Sequence, residues 1–288
     1  MKKLLTPILA GLALACAQPA ANAQSFSDHV SKEFTLQKSA SGSLLAIYNV
    51  FGAIKVEGYS GDKVVLEINE TISADNQQDL ETGKKEFKLG FDQKDDTITC
   101  YIAEPRDSRP HRYYNDTWDD RRIEYKYNLD FSVKVPFGMS LTASTVNDGN
   151  VSVKDVAGSL RVHNVNGSIT IANAKGTTDA RTVNGDVTVN YLDIPPANSS
   201  YSTVNGEMNI TYPANLSADL QFKSMNGAFY TNFPDYQVLP VKITKTQDKH
   251  GDGAVYHISK NRDIRIGTGG RTLRFETLNG NIYIKKQA

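Results

Sequence analysis

The sequence predicts an all-β protein: a right-handed parallel β-helix, or β-solenoid, with coils of about 18–21 residues, a β-rich N-terminal cap and an inserted hairpin. Three observations carry this. Gly149, Gly158, Gly167, Gly176 and Gly185 stand nine residues apart. Apolar residues fall two and four places after a glycine, as in Val151/Val153, Leu160/Val162, Ile169/Ile171 and Val187/Val189. A Thr-Val-Asn-Gly word, or a close variant, returns at Asn147, Asn166, Asn184, Asn205, Asn226 and Asn279. Asn precedes Gly in alternate half-repeats, so the period is 18 residues and stretches to 21 around Asn205 and Asn226.

Alternation over four or five residues marks a short strand with one buried face. A regular glycine marks the turn between such strands, where positive φ is expected. A third apolar position falls seven places after each glycine, at Val156, Val165, Ala174, Val183 and Leu192. A hairpin meander has no need of so strict a period. Parallel, in-register stacking of coils demands it. The few inward aliphatics of one coil cannot offset the entropy of ordering its backbone, so coils must share ladders and a continuous core. The six asparagines then stack as a structural turn ladder, because Asn tolerates left-handed backbone and its amide can reach the next coil.

Taken in order, the chain opens with Lys2 and Lys3, an apolar run from Leu4 to Ala15, and Ala21-Asn22-Ala23 before Gln24. These are the three parts of a secretory signal peptide over residues 1–23. Ala13-Leu14-Ala15-Cys16 offers a competing lipobox, with lipid anchoring at Cys16 as the alternative. No later run is apolar for long enough to span a membrane as a helix. Residues 1–23 hold two of the 32 basic residues and none of the 32 acidic ones, so the mature charge is near −2. Such a balance gives no general attraction to nucleic acid or anionic lipid. Cys100 remains, in the alternating stretch TITCYIA, and reads as a buried hydrophobe.

Residues 24–140 read as a β-rich cap with the first coils. EFTLQ, SLLAIYNV, AIKVEGY, KVVLEINE and TITCYIA are its strands, Ser73–Phe87 a polar helical stretch, and YKYNLDFSVKV a further strand. Residues 141–288 read as solenoid repeats, interrupted over 232–266 by a hairpin of VKITKT and AVYHIS.

The T-V-N-G coils and the terminal GTGGRTLRFETLNGNIYIKK resemble the bacterial putative-adhesin β-strand-repeat family, domain of unknown function 4097, over roughly residues 40–286. The resemblance implies an exported β-helical envelope protein and supplies no catalytic residues.

Candidate sites lie where the rhythm breaks or faces outward. Arg112, Tyr113, Tyr114, Trp118, Arg121 and Arg122, in a charged aromatic loop at 104–124, are the residue types that dominate recognition surfaces, and mark a possible interaction loop. The 18-residue stagger places Arg161 beside Asp179 and His163 beside Arg181. A lyase-like patch there would want more acids and a cleft, so an exposed ion pair is the plainer expectation. Asp248, His250, Asp252 and His257 lack zinc or calcium-loop spacing. No catalytic residue, cofactor site or metal site is assigned. The expected function is a non-enzymatic adhesin-like binding or scaffold module of the periplasm or cell surface, with an unknown envelope protein or glycan as partner. The alternatives are a carbohydrate-active lyase-like enzyme and a purely structural assembly protein.

Overall fold

Residues alternating inward and outward lay down short strands, and the turns between them direct these strands into two large sheets. The computed structural model describes residues 24–110, 122–240 and 262–288, and the strand backbones at 243–247 and 254–258. The predicted signal segment and Cys16 lie outside the described residues.

Ahead of the repeats come β1 (Gln24–Thr35), β2 (Leu44–Tyr48), β3 (Ile54–Tyr59), β4 (Lys63–Ala74), helix α1 (Gln77–Glu86), β5 (Lys88–Lys94), β6 (Thr97–Glu104) and β7 (Tyr125–Pro136). The repeats supply β8 (Ser140–Ser144), β9 (Val151–Lys154), β10 (Leu160–His163), β11 (Ile169–Ala174), β12 (Thr178–Arg181), β13 (Val187–Tyr191), β14 (Ser200–Asn205), β15 (Met208–Tyr212), β16 (Ala218–Asn226) and β17 (Phe229–Thr231). There follow β18 (Tyr236–Val238), β19 (Ile243–Gln247), β20 (Ala254–Ile258), β21 (Arg262–Ile266), β22 (Arg271–Asn279) and β23 (Ile282–Lys286).

One sheet has the order β1-β4-β7-β3-β9-β11-β13-β15-β23-β17, the other β18-β21-β16-β22-β14-β12-β10-β8-β2-β6-β5. Through the repeats the strands pair in parallel, Leu160 with Thr178 in one sheet and Ile169 with Val187 in the other. Each strand thus meets the strand one full coil away, and the inward aliphatics Val151, Leu160, Ile169 and Val187 line a continuous core. The fold is all-β and solenoid-like.

Two features depart from the sequence reading. The coils do not stack in chain order. β22 pairs with both β14 and β16, and β23 with both β15 and β17. The coil formed last in the sequence therefore fills a gap between two earlier ones. The 232–266 segment is also not a free interruption. β21 and β18 add antiparallel to the second sheet, and only β19 and β20 form a separate hairpin, with Ile243 opposite Ile258.

The third apolar position is not uniformly core. Val156 and Ala174 are buried, whereas Val183, in the alternate half-repeat, is exposed; Leu192 is exposed too, where the coil widens and Tyr191 takes the inward place. In the Asn-bearing half, Thr182 takes the inward place next to the turn, and alternation then forces Val183 outward.

Coil widening to 21 residues makes room for aromatics. Tyr191, Tyr201 and Tyr212 are fully buried, their hydroxyls linked at 2.6 Å (Tyr191 to Tyr201) and 3.2 Å (Tyr212 to Tyr201). Tyr191 stacks on Tyr212 and Tyr201 on Phe275, each pair with centroids 5.1 Å apart. Burial pushes the Tyr201 and Tyr212 phenols well above the ordinary value. Cys100 is buried as expected, its thiol pushed up to about 12 by desolvation.

At the N-terminal end, β1 runs for 12 residues, of which the sequence pattern showed only Glu33–Thr35: it pairs antiparallel with β4 from Gln24 opposite Ala74 to Thr35 opposite Lys63. Phe26, Val30 and Phe34 pack against the core. His29 lies 2.9 Å from Asn69 Oδ1 and 2.6 Å from Glu67 Oε2. These two acceptors favour a doubly protonated ring and raise its pKa from 6.5. Helix α1 starts where Asn76 Oδ1 accepts from the Asp79 amide, and it buries Leu80 and Gly83.

Candidate functional site

The recurring asparagines form one row across the coils. Asn166 Nδ2 donates to Asn147 Oδ1 at 2.6 Å, Asn184 to Asn166 at 2.7 Å, and Asn205 to Asn184 at 2.8 Å. Asn279 then donates to Asn205, and Asn226 to Asn279, both at 2.8 Å. Asn279 therefore stands between Asn205 and Asn226, following the displaced coil.

The other letters of the word have separate physical tasks. The hydroxyls of Thr145, Thr182 and Thr203 point inward and donate to the carbonyls of Gly52, Gly167 and Gly185 in the neighbouring coil, at 2.9, 2.8 and 2.8 Å. Asn164 Nδ2 does the same for Gly149 at 3.0 Å. These bonds satisfy turn carbonyls that sit away from the strand ladders. Close contact requires the glycine throughout the repeat, and the positive φ expected at the turn is found at Gly52 (109°) and Gly280 (145°) but not at Gly167 or Gly176. A Cβ on Gly167 would lie 2.2 Å from the Gly149 carbonyl oxygen, and one on Gly176 2.1 Å from that of Gly158. Nor are the ladder asparagines left-handed; that conformation occurs at Asp148, Asp155 and Asn173.

Replacing Asn184 by alanine removes two ladder bonds, and replacing Asn147 removes one. With each exposed bond contributing about 0.5–1.5 kcal/mol net, Asn184→Ala should cost roughly twice what Asn147→Ala costs in urea unfolding. Equal losses would argue against independent contributions from the ladder bonds.

Arg161 faces Asp179 and His163 faces Arg181 across the parallel pair β10–β12. The expected Arg161–Asp179 ion pair is replaced by others. Asp179 Oδ1 accepts from Arg181 Nε at 2.7 Å and from Ser200 Oγ at 2.8 Å, and His163 Nε2 lies 3.7 Å from Asp179 Oδ2. Along a single strand, residues two apart share a face, so Arg181 reaches Asp179 without crossing to the next coil. Partial burial pushes the Asp179 carboxyl up, but its partners His163, Arg181 and Ser200 outweigh this and hold it far below the usual 3.8. A carboxylate so held is a poor proton donor near neutral pH. Its folded pKa is depressed, so its stabilisation is present above pH 3.8 and is lost as pH falls toward the folded value. The stability difference between wild type and Asp179→Asn should therefore shrink below pH 3.8; a difference independent of pH would refute this linkage.

Of the predicted interaction loop, Arg112, Tyr113, Tyr114, Trp118 and Arg121 lie outside the described residues. Its two legs are described. Arg109 lies over the Tyr101 ring, 3.8 Å from its centroid, and binds Asp92 at 3.0 Å and Asp107 at 2.6 Å. On the other leg Arg122 Nε meets Glu124 at 3.0 Å, and Ile123 packs against the core. The loop thus springs from two fixed points, the end of β6 and the start of β7. Arg109 escaped the sequence reading because its stacking partner Tyr101 is eight residues away on another element.

Asp248, His250 and Asp252 also lie outside the described residues. Among the described residues there is no group of three His, Cys, Asp or Glu side chains placed to hold a metal. No described helix is long and apolar enough to cross a membrane.

An exposed apolar stripe was not anticipated. Val183, Val204, Leu278 and Met225 follow one another along the corner beside the asparagine row.

No curated protein matches the chain. Among solved structures, a putative cell adhesion protein from Clostridium sporogenes aligns at TM-score 0.45 and 10% identity, over 91% of this chain and 100% of its own. A putative adhesin from Bacteroides fragilis aligns at TM-score 0.34 and 12% identity, over 90% of this chain and 97% of its own. The family model described as Toastrack DUF4097 matches residues 121–284, more than half the chain and the region that holds the asparagine row. The resemblance read from the T-V-N-G coils is borne out: the chain belongs to the Toastrack DUF4097 family.

Proposed function

We propose that this chain is a non-enzymatic, exported, adhesin-like module that binds another component of the cell envelope through its 104–124 loop, with the solenoid as its scaffold. The observation that carries the reading is the double fixing of that loop. Arg109 pins one leg to Tyr101, Asp92 and Asp107, and Ile123 anchors the other. Loops positioned by a rigid scaffold are where binding residues concentrate. Its Tyr113, Tyr114, Trp118 and flanking arginines have the composition of binding hot spots. Family membership supports the adhesin-like class, and the names of the structural neighbours agree with it.

Export rests on the signal-peptide pattern of residues 1–23, with lipid anchoring at Cys16 as the competing form. Mass spectrometry of the mature N-terminus distinguishes the two. Coils winding in the right-handed sense of parallel crossovers complete the proposed architecture.

The test is capture. A glycan array and crosslinking pull-down from native envelopes should recover a partner with wild type and lose it with Trp118→Ala/Tyr113→Ala. Retained binding in that variant would remove the loop from the reading. Release of reducing ends from an envelope polysaccharide, abolished by Asp179→Ala, would replace the module with an enzyme.

A further inference from the structure

The outermost strand of the first sheet, β1, pairs with β4 alone. On its outward face His29 stands opposite Asn69 and Ser31 opposite Glu67. The His29 ring reaches both partners, with Nε2 2.6 Å from Glu67 Oε2 and Nδ1 2.9 Å from Asn69 Oδ1. Ser31 Oγ donates to the other Glu67 oxygen at 2.9 Å. A neutral imidazole has one N–H to give, whereas the doubly protonated ring donates twice and carries the charge that a carboxylate attracts. From β7, Asp130 stands opposite Asn69, but its carboxylate accepts from the Ala53 amide.

The inward face of the same strand holds an opposed pair of acids. Asp28 stands directly opposite Glu70. Glu70 takes an inward place on β4 between Ile68 and Ile72, with Leu129 of β7 on its far side, and all three of these are buried. Among the described residues Glu70 has no hydrogen-bond or cation partner. The cations around β1 are engaged elsewhere: Lys84 of α1 binds Glu81 and lies over the Phe26 ring, Lys63 of β4 meets Glu33, and Lys32 lies over Phe91. Tyr127 of β7, opposite Ile72, is neutral in this range, burial raising its phenol above the ordinary 10.0. Like charges directly opposite one another weaken a strand pair.

We propose that β1 is a pH-operated strap, which closes on β4 in mildly acidic solution and lets go as the solution turns alkaline. Both faces act in the same direction. The folded pKa of His29 is raised above 6.5, so its grip is full below that value and is lost as pH rises through the folded one. Desolvation, then the Asp28 charge, raises the Glu70 carboxyl above 4.5, and repulsion from Asp28 sets in as pH passes its folded value. Glu67 sets the acid limit: Ser31 and His29 hold its carboxyl below 4.5, so its side of the grip fails only on further acidification. Having no second neighbour, β1 can open locally while the coils behind it stay folded. Release bares the backbone edge of β4 from Lys63 to Ala74 and withdraws Phe26, Val30 and Phe34 from the core.

Amide hydrogen exchange of the full chain, followed by mass spectrometry from about pH 5 to about pH 9 and corrected for the intrinsic rate, tests this. The amides of β1 should lose protection at least about tenfold over that range, the effect of one pKa unit of linkage. Those of β11 and β13, in the middle of the same sheet, should keep theirs. His29→Gln, which can still hydrogen-bond but carries no charge, should remove the step at about pH 6–8. Glu70→Gln should slow β1 exchange above about pH 5 by relieving the repulsion, whereas loss of a merely structural carboxylate would quicken it. Protection of β1 that is constant with pH overturns the proposal, as does a loss shared equally by β11 and β13. A step that survives His29→Gln, or faster β1 exchange in Glu70→Gln than in wild type, equally overturns it.

Discussion

A side chain at Gly206 should destabilise the stack more than any change on its surface. A Cβ there would lie 2.0 Å from the Gly185 carbonyl oxygen and 2.6 Å from its carbon, both backbone atoms. The Gly206 amide is meanwhile bonded to the Asn279 carbonyl at 3.0 Å, so the turn is held from both sides. Relief requires two coils to separate, which breaks the ladders beside them. Gly206→Ala should cost about 3 kcal/mol, the upper part of the range for overpacking. At roughly 2–4 °C per kcal/mol in a chain of this size, Tm should fall by about 6–12 °C. The control is Gly270→Ala, at a glycine with open space around its missing side chain but with φ of 111°. Its penalty comes from backbone strain alone, in the range of about 1–3 kcal/mol, and leaves the coil stacking intact. A Gly206→Ala protein as stable as wild type would remove close contact as the reason for the repeated glycine.

The second large effect is expected at Tyr201. Truncation to alanine removes a fully buried ring from its stack on Phe275 and takes away the oxygen that Tyr212 and Tyr191 share. The cost should be about 3–5 kcal/mol, as for other large aromatic deletions. Tyr201→Phe separates the two contributions: the ring is kept, the shared oxygen is lost, and about 1–3 kcal/mol should go with it. The same network sets a limit at high pH. Burial, and the neighbouring phenols in the case of Tyr201, raise its pKa and that of Tyr212 well above 10.0. Stability is then full below pH 10 and declines as pH rises, because only the unfolded chain ionises readily. Phenolate absorbance from these rings should therefore appear together with loss of tertiary structure. Phenolate formation in a still-folded protein would contradict that.

The sequence disclosed the period, because close packing of coils imposes glycine at fixed intervals and alternation imposes inward aliphatics. Gly149, Gly167 and Gly185 are legible for that reason, as is the parallel register that brings Leu160 to Thr178. What the period cannot disclose is any choice made between coils equally able to stack. Asn226 and Asn279 carry the same local signal, and only the strand pairing of β22 decides which sits next to Asn205. Val156 and Val183 likewise look alike in one dimension. They part because Thr182 turns inward to serve a glycine carbonyl. Most of β1 was hidden for a different reason: its inward residues Phe26, Val30 and Phe34 recur every four positions along a strand, with polar residues between. As for the candidate sites, the stagger located the neighbours of Asp179 but could not tell that Arg181, on its own strand, would claim the carboxylate.

The displaced C-terminal coil makes residues 271–286 a keystone. Synthesis delivers a chain from its N-terminus, so β14 and β16 emerge before the strand that lies between them. In the folded chain β14 and β16 do not pair with each other, since β22 lies between them and pairs with both. The stack is bridged when that final piece slides in, and a chain cut short of Arg271 would hold two incomplete arches, with raw strand edges facing each other across the missing stone.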